Sequence, residues 1–77
     1  ASYLERYRDA ADSYARALDA EPRSTGVLCN YASALMRIER HDDARDMCDR
    51  ALALDAGYVP AWFTRGRVQL ETHRYEA

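Results

Sequence analysis

The amino-acid sequence predicts an all-α fold in which antiparallel helix pairs stack on one another as an α-solenoid. Three observations predict it: an internal repeat of 34 residues, apolar residues at helical spacing, and no alternating β-strand pattern. When residues 1–22 are aligned with residues 35–56, eight of the 22 positions are identical. Chance would give about one or two identities, and a period of this length is typical of helical repeat arrays. Such arrays bind other proteins far more often than they catalyse reactions.

The first two helices follow from apolar stripes and from one capping residue. The first helix is predicted from about Arg6 to Ala20, and Pro22 ends the pattern. After Pro22, Ser24 is a suitable N-cap because its hydroxyl can accept a hydrogen bond from a free backbone N–H. The second helix then runs to about Ile38. The two apolar stripes are Tyr7, Ala10, Ala11, Tyr14, Ala17 and Leu18, then Leu28, Tyr31, Ala32 and Leu35.

The remaining helices follow from a turn and a loop. Residues 39–41 are predicted as a tight turn, after which Asp42 or Asp43 opens a third helix that ends near Asp55. Residues 56–58 form a loop in which Gly57 can adopt a left-handed conformation. A fourth helix runs from about residue 59 to residue 72, with Pro60 in its first turn, and Tyr75 begins one more. The apolar positions are Ala44, Met47, Cys48, Ala51 and Leu52, then Trp62, Gly66 and Leu70.

The composition excludes several classes of function. The 77 residues suffice for one domain, and the net charge of −2 provides no basic footprint for nucleic acid. All 11 basic residues are arginine, so neither a P-loop lysine nor a Schiff-base lysine is present. No apolar run approaches the roughly 18 residues that span a bilayer. We therefore expect neither nucleic acid nor a membrane among the partners.

The cysteines and histidines do not form a recognisable reactive site. Cys29 and Cys48 have no CxxC spacing and do not form a disulfide framework, so a reduced intracellular setting and a cytoplasmic location are expected. Cys48 falls at a packing position and is predicted to be a core thiol. The spacing of His41, Asp42 and His73 with the cysteines matches no zinc arrangement. Cys29 paired with a histidine would lack an orienting group and an oxyanion hole, so no enzyme activity, metal or cofactor is expected.

These residues resemble the tetratricopeptide repeat family, whose two helices carry large and small residues at set positions before a closing proline. At the pattern positions the middle repeat has Leu28, Tyr31, Ala32, Leu35, Ala44, Cys48, Ala51 and Leu52. The flanking repeats have Ala10, Tyr14, Ala17, Pro22, Trp62 and Gly66 at such positions. The small residues allow two helix axes to approach closely. The resemblance implies a superhelix with a partial repeat at 1–24, a complete repeat at 25–58 and a partial repeat at 59–77. The chain departs from the family pattern at His41, Ala56, Arg65 and Gln69.

The resemblance also implies where a partner would bind, because the first helices of these repeats line a concave groove that receives a peptide. By position, the groove residues would be Cys29, Asn30, Ser33, Met36, Arg37, Phe63, Arg67 and Leu70, with Gly26, Pro60 and Thr64 beside them. Met36, Phe63 and Leu70 would hold an apolar anchor, and Arg37 and Arg67 would hold an acidic group. Alternatively, these positions are solvated helix surface or are covered by a further repeat.

A protein-interaction scaffold that binds a peptide is thus the leading functional hypothesis. The subtype that clamps chaperone tails is not indicated: Asn30 occupies a clamp position, but the following repeat has Pro60 and Thr64 where basic residues are needed. A second hypothesis is self-assembly through apolar repeat ends at Tyr3, Leu4, Tyr7 and Tyr75. A third is that the chain is the non-catalytic targeting region of a larger enzyme, since a chain that does not begin with Met can be an excerpt.

Overall fold

The computed structural model describes the backbone of residues 2–76 and the side chains of residues 2–73. The described chain is helical, with no strand among residues 2–76, which confirms the all-α prediction. The element bounds are α1 Tyr3–Ala20, α2 Thr25–Arg37, α3 His41–Leu54 and α4 Val59–Glu76. α2 packs against both α1 and α3, and α4 packs against α3 and, less extensively, against α2. Successive helices are therefore neighbours in space, as expected for helix pairs that stack in chain order.

Serine side chains begin the first two helices. Ser24 Oγ accepts a hydrogen bond from the Val27 backbone N–H at 3.3 Å, which confirms the predicted N-cap of α2. Ser2 Oγ accepts in the same way from the Glu5 backbone N–H at 3.2 Å. This second cap starts α1 at Tyr3, earlier than the predicted start near Arg6. Each cap satisfies an otherwise unpaired donor and stabilises its helix by about 1 kcal/mol.

The turn between α2 and α3 depends on a non-glycine residue in the left-handed region. Glu39 has a φ of 64°, which is unfavourable for a residue with a Cβ. The turn is closed by the Arg40 backbone N–H, which donates to the Leu35 carbonyl at 2.9 Å. Arg40 is also the N-cap of α3 and provides no side-chain cap, so the predicted opening by Asp42 or Asp43 is wrong by a residue or two. The Arg40 guanidinium instead pairs with the Asp43 carboxylate at 2.6 Å.

The link between α3 and α4 does not need the left-handed glycine that the sequence suggested. No glycine among the described residues has a positive φ. The Gly57 backbone N–H donates to Asp55 Oδ1 at 3.1 Å, so the aspartate side chain forms the turn. The Trp62 indole N–H then donates to the Ala56 carbonyl at 2.7 Å. This bond fixes the loop to the first turn of α4.

α4 is one continuous helix to Glu76, so the predicted new helix at Tyr75 is wrong. Residues 71–76 contain neither glycine nor proline, and nothing in their sequence breaks a helix. The equivalent turn after α2 forms because α3 folds back and packs against α2. The side chain of Tyr75 lies outside the described residues.

The core consists of two clusters that follow one another along the stack. One cluster comprises Ala32, Leu35, Met36, Ala44, Cys48 and Val68. The other comprises Leu18, Leu28, Cys29, Ala51 and Ala61. Tyr31 and Met47 pack against both clusters and join them. The fully buried alanines Ala32 and Ala44 leave space for α2 and α3 to pack closely, as the sequence predicted.

Candidate functional site

The predicted groove residues form two stripes on α2 and α4. Asn30, Ser33 and Arg37 follow one another at helical spacing on α2, and Phe63, Arg67 and Leu70 do so on α4. Five of these side chains are exposed and Ser33 is half-buried. Phe63 and Leu70 are each 68% exposed, which is a large exposure for apolar side chains. The two stripes therefore present apolar, polar and basic groups to solvent on neighbouring helices.

Two of the predicted groove residues are buried instead of exposed. Cys29 is 6% exposed and packs in the cluster with Leu28 and Ala51. Met36 is 7% exposed and packs beside Leu35, although its surface also lines a cavity. The side chain of Thr64, expected beside the groove, is 9% exposed and is likewise enclosed by the fold.

One cavity of about 140 Å³ brings together Met36, Arg37 and Arg67. Its other lining residues are Tyr3, Glu39, His41 and Glu71. The volume is that of a few water molecules or one small side chain, since a water molecule occupies about 30 Å³. The cavity thus gathers both predicted arginines of the groove at one end of the helices.

Aromatic rings of α1 hold one of these arginines in place. The Arg37 guanidinium lies 5.8 Å from the centroid of the Tyr7 ring, within the range of a cation–π contact. The Tyr7 ring is in turn packed against Tyr3, with centroids 5.2 Å apart and an interplanar angle of 83°. The edge-to-face arrangement is a favourable one for two aromatic rings. Arg37 is therefore oriented before any ligand arrives.

Sequence reasoning missed four of the seven residues that line this cavity, although the repeat itself contained a signal for two of them. Tyr3, Arg37 and Glu71 occupy equivalent positions one period of 34 residues apart. All three line the same cavity, because equivalent positions of successive repeats lie side by side in a stacked array. Nothing in the sequence pattern singled out Glu39 or His41, which lie at the turn between α2 and α3.

The two thiols are free and unsuited to nucleophilic chemistry. Burial raises the pKa of the Cys29 thiol above its ordinary value of 9.0. Burial, and to a smaller extent Cys29 and Asp49, raise the pKa of Cys48 to about 11, while Arg65 opposes the shift. A thiol with a raised pKa is mostly protonated at neutral pH and therefore a poor nucleophile. The prediction that Cys48 is a core thiol is confirmed, because its side chain is fully buried.

The described residues form neither a metal-binding cluster nor a helix that could cross a membrane. Within the described part of the chain, no three His, Cys, Asp or Glu side chains are grouped so that they could hold a metal ion. None of the helices formed by the described residues has both the length and the apolar character to cross a membrane.

Comparison with known families assigns the repeat. The family model described as tetratricopeptide repeat matches residues 1–59. The chain belongs to the tetratricopeptide repeat family. The division into a partial repeat at 1–24, a complete repeat at 25–58 and a partial repeat at 59–77 stays a prediction. Tetratricopeptide repeats are interaction modules, so membership supports a role in binding other proteins.

Several curated proteins contain a segment similar to this tetratricopeptide repeat chain. RNA polymerase II-associated protein 3 of Xenopus tropicalis is 34% identical over 65 residues, which is 84% of this chain and 10% of that protein. The human protein of the same name is 31% identical over 71 residues, 92% of this chain and 11% of its own length. Human DnaJ homolog subfamily C member 7 is 28% identical over 74 residues, 91% of this chain and 15% of that protein. The chain thus spans only a small part of these relatives, and no solved structure gives a significant match.

Proposed function

We propose that this tetratricopeptide repeat chain binds a peptide segment of a partner protein along the exposed stripes of α2 and α4. The observation that carries the proposal is the cavity that Arg37, Arg67 and Met36 line together. The apolar side chains Phe63 and Leu70 lie on the same stripe of α4 as Arg67. Two arginines in one cavity next to exposed apolar groups suit a peptide with an acidic residue near an apolar one.

The acidic residue would enter the cavity and be held by the arginines. A guanidinium can bind a carboxylate through two parallel hydrogen bonds, which gives both strength and orientation. Arg37 is already oriented by the Tyr7 ring, so less rotamer freedom is lost when it binds. Glu39 and Glu71 also line the cavity, so their negative charges offset those of the arginines and oppose each carboxylate that is added. The geometry therefore favours a peptide with one acidic side chain over a run of them.

The apolar residue would pack on α4. Phe63 and Leu70 lie two helical turns apart on one side of the helix, with Arg67 between them. An apolar side chain placed there would remove both from water, at about 25 cal/mol for each Å² of apolar surface buried. Large exposed apolar groups at regular spacing are typical of surfaces that bind other proteins.

A clamp for chaperone tails is not part of this proposal. Asn30 is exposed at one clamp position, but the following repeat has Pro60 and Thr64 where basic side chains would be needed. Thr64 is also enclosed by the fold. One relative is named for an association with RNA polymerase II, and for this chain the proposal is limited to the class of partner, namely a protein.

The test is a selection of peptides followed by measurement of their affinity. A random peptide library displayed on phage is selected on the immobilised chain, and binding of the selected peptides is measured by fluorescence anisotropy. We expect sequences that combine one acidic residue with an apolar one. The double variant Phe63→Ala, Arg67→Ala should bind them at least about tenfold more weakly, which corresponds to about 1.4 kcal/mol.

A matched control removes the same chemistry elsewhere. The double variant Leu54→Ala, Arg45→Ala takes one partly exposed leucine and one exposed arginine from α3. It should bind the selected peptides like the unmodified chain. Equal affinity of both double variants, or selected peptides without acidic residues, would refute binding along α2 and α4.

A further inference from the structure

We infer that Glu39 is a specificity-determining residue of the proposed peptide site, where its carboxylate favours a ligand with one carboxylate over a ligand with a phosphate group. Glu39 can act in this way only if a peptide binds in the cavity as proposed above. The residue lies in the turn between α2 and α3, so the described chain continues on both sides of it. Its conformation is thus set by two helices in the interior of the chain.

The backbone of this turn has a conformation that favours glycine. The Glu39 backbone N–H donates to the Met36 carbonyl at 3.1 Å, and the Arg40 backbone N–H donates to the Leu35 carbonyl at 2.9 Å. These two bonds form a Schellman motif, in which the residue after the C-cap is left-handed and is usually glycine. Here the C-cap is Ile38 and the residue after it is Glu39, with a φ of 64°. Within the part of the chain that the structure describes, no other non-glycine residue has a positive φ.

A side chain at this position therefore costs stability that glycine would not cost. In the left-handed region the Cβ lies too close to the following carbonyl oxygen, and glycine has no Cβ. Strained residues of this kind cluster at functional sites. What glutamate adds to the turn is a side chain that lines the cavity with Arg37 and Arg67. We therefore place the role of Glu39 in the cavity and not in the turn.

The charges around the cavity offset one another. Arg37 and Arg67 provide two positive charges, and Glu39 and Glu71 provide two negative ones. The cavity has a volume of only about 140 Å³, so an acidic group inside it would lie close to all four residues. Glu71 is half-buried on α4, whereas Glu39 is exposed at the turn. The charge of Glu39 can therefore be removed with little effect on the packing of the helices.

The charge of the ligand decides how strongly Glu39 opposes it. Carboxylates and phosphates both accept two parallel hydrogen bonds from a guanidinium, so the arginines alone accept either group. A carboxylate carries one negative charge, whereas a phosphate on serine carries about 1.5 to 2 at pH 7. Repulsion is proportional to this charge, so Glu39 opposes the phosphate about 1.5 to 2 times as strongly. The site would thus select an acidic residue of the partner over a phosphorylated one.

The test compares two peptides that differ at one position. A peptide from the selection described above is made with either glutamate or phosphoserine at its acidic position, and its affinity is measured by fluorescence anisotropy at physiological ionic strength and fixed pH. Glu39→Gln removes the charge and keeps the Cβ, whereas Glu39→Gly removes both. Glu21→Gln is the matched control, because it changes the net charge equally at an exposed glutamate that is not among the residues lining the cavity.

The two peptides should respond differently to the loss of the charge. Glu39→Gln should strengthen binding of the glutamate peptide about threefold, as expected for one partly exposed charge, and of the phosphoserine peptide about five- to ninefold. Glu39→Gly should give the same gains and also raise the thermal midpoint by about 4 °C, because glycine adopts a left-handed φ freely. Glu39→Gln should not raise the midpoint. Glu21→Gln should change neither the affinities nor the midpoint.

Several results would overturn the role of Glu39. These are equal gains for the two peptides, gains no larger than those of Glu21→Gln, or a midpoint of Glu39→Gly no higher than that of Glu39→Gln. The double variant Phe63→Ala, Arg67→Ala separates this role from peptide binding itself. If it weakens binding of the glutamate peptide while Glu39→Gln changes nothing, the proposed function stands and the role of Glu39 fails. If it leaves that binding unchanged, both fail.

Discussion

Leu35 provides the sharpest test of how the core is built. Its side chain is fully buried in the cluster with Ala32, Ala44, Cys48 and Val68, where α2, α3 and α4 meet. Replacing Leu35 with alanine removes buried apolar surface and leaves a cavity, because three helices cannot all move in to fill it. The expected loss in the free energy of unfolding is about 3 kcal/mol.

That loss is large for a chain of this size. At about 0.05–0.15 kcal/mol per residue, the 77 residues correspond to a total stability of about 4–12 kcal/mol. The thermal midpoint of Leu35→Ala should fall by about 12–24 °C, since 1 kcal/mol shifts a domain of this size by about 4–8 °C. Urea titration followed by far-UV circular dichroism measures the free energy, and a thermal scan of the same samples measures the midpoint.

The control is the same substitution at an exposed leucine. Leu70 on α4 is 68% exposed, so Leu70→Ala should change the free energy of unfolding by no more than about 0.5 kcal/mol. Both variants lose the same atoms, and only the burial of those atoms differs. Comparable losses for the two variants would contradict the placement of Leu35 in the core.

Three further predictions concern a cap, an ion pair and a thiol. Ser24→Ala should lower the free energy of unfolding in urea by about 1 kcal/mol, because it removes the hydrogen-bond acceptor at the start of α2. The control Ser13→Ala, on the exposed side of α1, should not lower it measurably. A double-mutant cycle on Arg65 and Asp49 should give a coupling of about 0.2–1 kcal/mol that weakens with salt, since both side chains are partly exposed; a coupling that does not respond to salt would contradict this. The Cys48 pKa is raised from 9.0 to about 11 in the folded chain, so its contribution to stability is complete below pH 9 and disappears as the pH rises through about 11. Over that range the stability of Cys48→Ala should therefore fall less than that of the unmodified chain, and equal slopes would be inconsistent with a raised pKa.

The sequence predicted the helices well because their signals are local. Apolar spacing and Ser24 are properties of neighbouring residues, and α2 begins where that serine predicts. The errors occur where tertiary contacts decide. Glu39 adopts a left-handed φ while Gly57 does not, because the return of α3 onto α2 determines the first turn and the Asp55 side chain shapes the second. α4 also runs past the predicted break near Tyr75, where residues 71–76 contain neither glycine nor proline.

The candidate site was predictable in position but not in accessibility. The repeat period correctly placed Arg37 and Arg67 on neighbouring helices, where they line one cavity. It could not show that Cys29 would be covered, because burial depends on how α2 sits against α3 and α4. It also gave no hint that the Tyr7 ring would orient Arg37, since that contact joins residues far apart in sequence.

Tyr31 and Met47 each contact both hydrophobic clusters, and this sharing has a consequence for how the gene can change. A core made of successive layers joined by shared side chains has no single centre. Duplication of a whole helix pair adds a layer at one end and leaves the existing layers intact. Loss of a single helix would instead bring together two helices that occupy equivalent positions in successive helix pairs. The helix pair, rather than the single helix, is therefore the unit in which this chain can lengthen or shorten over evolutionary time.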